Sequence, residues 1–213
     1  MPTHDLGTTP LVGFDLDMTL IDSRPGIKAV MEELAARTGV AIDSDLVVSR
    51  LGPPLETELA HWFPAAAVPS VADLYRSLYA DIAVARVTAL PGARAVFDAV
   101  HARGGRTAVV TAKNGPDARR HLEHLGLVVD DVRGRAWRSG KADALRDLGA
   151  VAYVGDHVHD MEAASLASIP GVGVATGPCS PRELADAGAA LVVDSLDELV
   201  GRLDLVWPVA GVS

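Results

Sequence analysis

Two aspartates stand two residues apart in Phe14-Asp15-Leu16-Asp17-Met18-Thr19, directly after a short apolar run. On an extended chain, residues i and i+2 project to the same side. At the C-terminal edge of a parallel sheet, that side opens on the crevice where α/β proteins bind ligands. Carboxylates this close repel unless a cation or a shared proton lies between them, so Asp15 and Asp17 point to a metal or to acid–base chemistry. The same residues also suit a solvated turn after a strand, and spacing alone leaves both readings open. A second acidic pair, Asp156 and Asp160, follows another apolar run in Val154-Gly155-Asp156-His157-Val158-His159-Asp160. Between the pairs come Thr111, which ends an apolar run, and Lys141 in Ser139-Gly140-Lys141-Ala142. Singly, Thr111 and Asp156 suit helix caps and Lys141 a solvated first turn. Together they put two acids, a hydroxyl, a lysine and two further acids at strand or loop ends, in that order along the chain.

The elements that must position these groups are legible from hydrophobic periodicity. Short apolar runs at 11–14, 107–110, 151–154, 172–175 and 191–193 end in polar or glycine-rich turns, the pattern of buried parallel strands. Helical patterns separate most of them, at 91–103, 116–125 and 196–203. Alternation of this kind predicts an α/β fold with a doubly wound parallel sheet. The stretch 23–90 breaks the alternation and contains no strand pattern. Ile27, Val30, Met31 and Leu34 fall on one helical face, and Val71, Leu74, Tyr75, Leu78 and Ile82 on another. Thr38-Gly39, Gly52-Pro53-Pro54 and Pro64 punctuate the segment. It reads as a helical insertion after the first strand, and residues from Pro208 onward read as a loose tail.

Composition excludes several classes. The chain has 213 residues, 49% of them apolar, with 19 Lys+Arg against 28 Asp+Glu and a formal charge of −9. A packed interior is within reach, and a basic stripe for nucleic acid is absent. Cys179 is the only cysteine, which excludes an intrachain disulfide and a cysteine-based zinc site. The opening residues lack a basic and an apolar signal region, and no apolar run reaches membrane-spanning length, so a cytoplasmic protein with no membrane partner is expected. Only Lys28, Lys113 and Lys141 are lysines, which makes each worth inspection because arginine cannot always replace it.

These motifs resemble the haloacid dehalogenase superfamily, in particular its phosphoglycolate-phosphatase-like phosphatases. Asp15, Asp17 and Thr19 match Asp-x-Asp-x-Thr, Thr111 matches the Ser or Thr that ends a strand, Lys141 the lysine, and Asp156 with Asp160 the final acidic motif. The likeness spans essentially the whole chain, because the insertion matches that family's α-helical cap. It implies a Rossmann-like core over residues 1–22 and 91–213 with a cap over 23–90. It further implies a Mg²⁺-dependent phosphatase acting on a small phosphorylated metabolite. Asp15 would be the nucleophile and Asp17 the general acid–base. Thr111, Ala112 and Lys141 would bind phosphoryl oxygens. The Asp15 and Asp156 carboxylates with the Asp17 carbonyl would hold the metal, and Asp160 would orient Lys141 or a metal-bound water. Asp17 argues against dehalogenation, since dehalogenases of the superfamily lack this second acid. The sequence departs from the family pattern at Met18, where glycine is common, at Ala112, where asparagine is common, and in following Lys141 with alanine instead of proline. His157 and His159 also crowd the last motif.

Competing readings are weaker. His157 and His159 as a transition-metal site lack a third histidine or cysteine nearby. Residues 134–141 miss the phosphate-loop spacing, and Ala142 replaces its Ser or Thr. Gly171-Val172-Gly173 lacks the dinucleotide-binding pattern downstream. A phosphonate hydrolase would need an imine-forming cap lysine, and only Lys28 lies in the insertion. A sugar-phosphate mutase uses the same four motifs, and a catalytically silent phosphate-binding scaffold would share the fold. Arg24, Arg50 and Gly52 are expected cap contacts by position. The charge is uneven: the insertion carries six basic and eight acidic residues, the remainder thirteen and twenty. A phosphate site in the more acidic part calls for a cation.

Overall fold

The computed structural model describes residues 9–207. Six parallel strands form the sheet in the order β5-β4-β1-β6-β7-β8: β1 (Leu11–Phe14), β4 (Arg106–Val110), β5 (Asp131–Arg133), β6 (Ala150–Gly155), β7 (Gly171–Val174) and β8 (Leu191–Val193). The chain order reverses direction at β1, so the crevice between the C-terminal ends of β1, β4 and β6 is the switch point at which such sheets take ligands. Alternate residues of the strands feed two cores. Val12, Phe14, Val109 and Val154 pack with α5 (Ala93–Ala102), α6 (Gly115–Leu125) and α10 (Leu196–Val200) on one face. Leu11, Ala108, Val110 and Tyr153 pack with α7 (Ser139–Asp147) and α8 (Val158–Leu166) on the other. The helix α9 (Pro181–Asp186), held by a Ser180–Glu183 capping box, sets Leu184 against Gly173 of β7. The doubly wound parallel sheet expected from the sequence is therefore present.

The segment after β1 folds as four helices with their own core: α1 (Arg24–Thr38), α2 (Ser44–Ser49), α3 (Leu55–Leu59) and α4 (Val68–Ile82). Ile27, Val30, Met31 and Leu34 are buried on α1 as the periodicity predicts. On α4 the buried face is rotated from the expected one. Tyr79 is buried, while Leu74 and Ile82 are only partly so. The insertion enters and leaves through a two-residue antiparallel ribbon, β2 (Ile21–Asp22) against β3 (Thr88–Ala89). This corrects the expectation of no strand in 23–90. Thr88 and Ala89 are exposed and too few to show alternation, so nothing apolar advertised them. The edge strand β5 was likewise not foreseen, because only Val132 of Asp-Val-Arg is buried. Helices α5 and α10 are shorter than their sequence patterns, and α6 starts one residue earlier. The expected tail from Pro208 lies outside the described residues. No helix among the described residues is long and apolar enough to cross a membrane.

Candidate active site

Three neighbouring strands deliver the sequence-selected groups to one place. Asp15 leaves the end of β1 and is fixed there by its amide, which donates to the Val154 carbonyl at 2.8 Å. Thr111 follows β4, where its amide donates to the Arg133 carbonyl at 2.9 Å. Asp156 follows β6, while Lys141 and Asp160 sit in the first turns of α7 and α8. All five are buried, with Lys141 at 3% and Asp160 at 1% exposure. Asp17 lies two residues beyond Asp15 and is half-buried.

The Lys141 ammonium sits between two carboxylates, 2.9 Å from Asp15 Oδ1 and 2.6 Å from Asp160 Oδ1. Burial works against that charge, but Asp15 and Asp160 outweigh it and hold the Lys141 pKa well above the usual lysine range. One lysine does not balance the acids around it. Burial, opposed by Lys141 and reinforced by Asp160 and Asp17, pushes Asp15 up to about 7. Burial, and then the charges of Asp160 and Asp15, push Asp156 well above the carboxylate range.

The donor set fits a hard cation. One oxygen from each of Asp15, Asp156 and Asp160 lies within 4.8 Å of the others. Asp15 Oδ1 is buried without a well-aligned hydrogen bond. Asp156 Oδ1 accepts from Thr19 Oγ1 at 2.8 Å, which leaves Oδ2 to face the site. Space for that oxygen depends on Gly177, where a Cβ would come within 1.7 Å of it. Asp160 is already engaged, by Lys141 and by the His157 amide at 3.1 Å. That engagement suits an orienting role better than direct ligation.

Above these groups is a cavity of about 300 Å³. Asp15, Asp17, Thr111, Ala112, Lys141 and Asp156 line its floor, and Ile27, Met31, Val47, Leu51 and Tyr75 of the inserted segment form much of its apolar wall. Gly52 lines it too, against the His157 ring. The other two expected insertion contacts are spent elsewhere: Arg24 pairs with Asp22 at 2.7 Å, and Arg50 with Glu58 at 2.7 Å. Lys28 pairs with Asp45 on the surface and does not line the cavity, which removes the support for an imine-forming lysine there. Lys113 also lines it, together with Tyr79, Arg76, Arg135 and Trp137, none of which belongs to a sequence motif. The scarcity of lysine marks Lys113 in the sequence, together with Lys28 and Lys141, and nothing local marks the other four.

The sequence profile of the haloacid dehalogenase-like hydrolases matches residues 12–174. The chain belongs to this hydrolase family. It is 33% identical to phosphoglycolate phosphatase of Rhodospirillum rubrum, covering 92% of this chain and 91% of that protein. It is 30% identical to the tyrosine-protein kinase PtkA of Mycobacterium tuberculosis over 80% of this chain, and spans 64% of PtkA's length. The solved structure of a "predicted phosphatase" from Clostridium acetobutylicum superposes with a TM-score of 0.80 at 26% identity, over 92% of this chain and 98% of that one.

Two departures from the haloacid dehalogenase pattern take on physical meaning in the structure. Met18 has φ of +62°, a left-handed conformation that glycine adopts without cost and a side chain adopts at roughly 1 kcal/mol. Its side chain is buried at 2% exposure, so packing offsets the strain. His157 and His159 stack on each other, with ring centroids 4.7 Å apart, and His159 meets Trp137 edge-on at 5.0 Å. The His157 Nδ1 caps α8 by accepting from the His159 amide at 3.1 Å. These histidines are thus bound into a cap and an aromatic stack.

Proposed function

We propose that this hydrolase is a Mg²⁺-dependent phosphatase of a small phosphorylated metabolite, acting through an aspartyl-phosphate. The observation that carries the reading is the buried Asp15–Lys141–Asp160 arrangement, with Asp17, Thr111 and Asp156 around the same cavity floor. Asp15 attacks phosphorus. Asp17 protonates the departing oxygen and then takes a proton from the attacking water. Thr111, the Ala112 backbone and Lys141 hold the phosphoryl oxygens, and Asp160 keeps Lys141 in place. Asp15 and Asp156, with the Asp17 carbonyl, are the groups that would hold Mg²⁺. The ion supplies positive charge where phosphoryl charge develops. Residues 23–90 serve as a cap over a core of 1–22 and 91–213, and their apolar wall excludes water from the attacked face. The identity with the R. rubrum enzyme supports hydrolysis of a phosphoglycolate-like ester.

The similarity to a protein kinase, and the shared motifs of sugar-phosphate mutases, favour a second reading in which an acceptor hydroxyl replaces water. A panel of phosphate esters and hexose phosphates, read for free phosphate against isomerised product, separates these. For the main reading, p-nitrophenyl phosphate is hydrolysed with Mg²⁺, chelation abolishes turnover, and Asp15→Asn is inactive. An Asp15→Asn enzyme as fast as wild type rules out the aspartyl-phosphate.

A further inference from the structure

Asp17 Oδ1, like Asp15 Oδ1, is buried without a well-aligned hydrogen bond and meets a lysine, but a different one. Its Oδ1 lies 3.1 Å from the Lys113 ammonium, and both side chains are largely withdrawn from solvent. Lys113 is itself fixed at several points. Its backbone amide donates to Thr111 Oγ1 at 3.2 Å, and its carbonyl accepts from the Arg135 amide at 2.8 Å. Its ammonium donates to the Tyr79 hydroxyl at 2.8 Å and lies 4.7 Å from the centre of that ring. The Tyr79 oxygen is in turn 3.0 Å from His121 Nε2. Burial, followed by the charge of Lys113, lowers His121 to about 4, so its imidazole is neutral beside the tyrosine hydroxyl. The result is a buried hydrogen-bonded chain: the lysine donates to the tyrosine oxygen, which also lies within hydrogen-bond distance of the histidine.

The chain crosses between parts of the fold. Lys113 and His121 belong to the β4–α6 region, whereas Tyr79 is on α4 of the inserted helices, where Tyr75 packs against it at 5.5 Å. We infer that Lys113 is a positioning residue for Asp17, and that Tyr79 sets Lys113, so the acid–base is aligned only while α4 is seated against α6. A carboxylate that must meet a leaving oxygen within hydrogen-bond reach tolerates little error, and a shift of about 1 Å costs on the order of a hundredfold. Fixing Oδ1 on the lysine leaves Oδ2 as the oxygen presented to the ester.

This inference rests on Asp17 being the general acid, and leaving-group dependence separates the two claims. The test is single-turnover release of alcohol from butyl phosphate and of p-nitrophenolate from its ester, using the full chain with Mg²⁺. An alkoxide needs the proton and p-nitrophenolate does not. Asp17→Asn should slow the alkyl ester far more than the aryl ester. Equal effects there, or a wild type inert toward both esters, overturn the role of Asp17 and the inference with it.

With that benchmark met, Lys113→Met should slow butyl phosphate about a hundredfold and the aryl ester less than about fivefold, with KM within about twofold. Lys113→Arg should recover part of the loss. Tyr79→Phe keeps the ring and its packing, and should slow the alkyl ester selectively by about tenfold. It carries the test even where Lys113→Met does not fold. Equal losses on both esters, or a raised KM with unchanged kcat, overturn the positioning role of Lys113. A Tyr79→Phe enzyme with the wild-type ratio between esters overturns the link to α4.

Discussion

At the scale of single residues, the site consists of charges placed where water cannot screen them. His121 is wholly buried beside Lys113, with Asp17, Asp117 and His124 also acting on it. Its pKa of about 4 lies below that of an exposed histidine. The unfolded chain therefore binds the proton more readily, so stability falls as pH drops from about 6.5 toward 4 and is unaffected above that window. Between about pH 7.5 and pH 5 this residue should cost the wild type about 2 kcal/mol that His121→Gln does not lose. Urea unfolding of both proteins at the two pH values gives the difference, and parallel pH dependences would refute it. Residue chemistry was also where the sequence was most readable. Asp15, Asp17, Thr111, Lys141, Asp156 and Asp160 could be singled out because each follows a strand or opens a helix, so their order in the chain becomes adjacency at one sheet edge. Lys113 and Tyr79 could not be paired that way. Their meeting depends on how α4 lies against α6, a tertiary fact with no local pattern.

At the scale of elements, the loops after the strands do the work, and their tolerances are small. Gly177 follows β7 and lets Asp156 Oδ2 occupy the space its own side chain would fill. Gly177→Ala must push that carboxylate aside. The expected outcome is a protein that melts within a few degrees of wild type but needs about tenfold or more additional Mg²⁺ for half-maximal activity. A magnesium titration reads this directly, and an unchanged midpoint would show that Asp156 is not a ligand. Inside the sheet, Phe14 and Phe97 pack edge to face at 5.1 Å and tie β1 to α5. Phe97→Ala should cost about 3–5 kcal/mol in chemical denaturation, since a buried ring leaves a cavity. The strands visible in the sequence are apolar runs, from the fully buried β1 and β7 to the partly buried edge strand β8. The ones missed, β5 and the β2–β3 ribbon, are two or three residues long with at most one buried residue each, too short to show a pattern, and their pairing partners make them strands.

At the scale of the molecule, the formal charge of −9 is concentrated outside the inserted helices, in the part that also holds the buried acids. Asp15, Asp156 and Asp160 converge with Lys141 as their nearest cation, and folding brings these like charges together. A divalent ion bound only by the folded chain should raise the melting temperature, by roughly 2.7 kcal/mol of stability at a hundred times its dissociation constant. Asp156→Asn should blunt that rise. A melting curve indifferent to Mg²⁺ at millimolar concentration would argue against metal at this cluster.

The β2–β3 ribbon has one more consequence. Ile21 pairs with Ala89 and Asp22 with Thr88, so the chain leaves and rejoins the sheet region at adjacent points, some 5 Å apart. Everything between them is topologically a long hairpin loop, with its own apolar centre and no strand in the main sheet. Such an arrangement makes the segment exchangeable. Helices of another size or shape can be spliced onto the same two anchor residues without altering strand order, while Asp15, Thr111, Lys141 and Asp156 keep their places at the sheet edge.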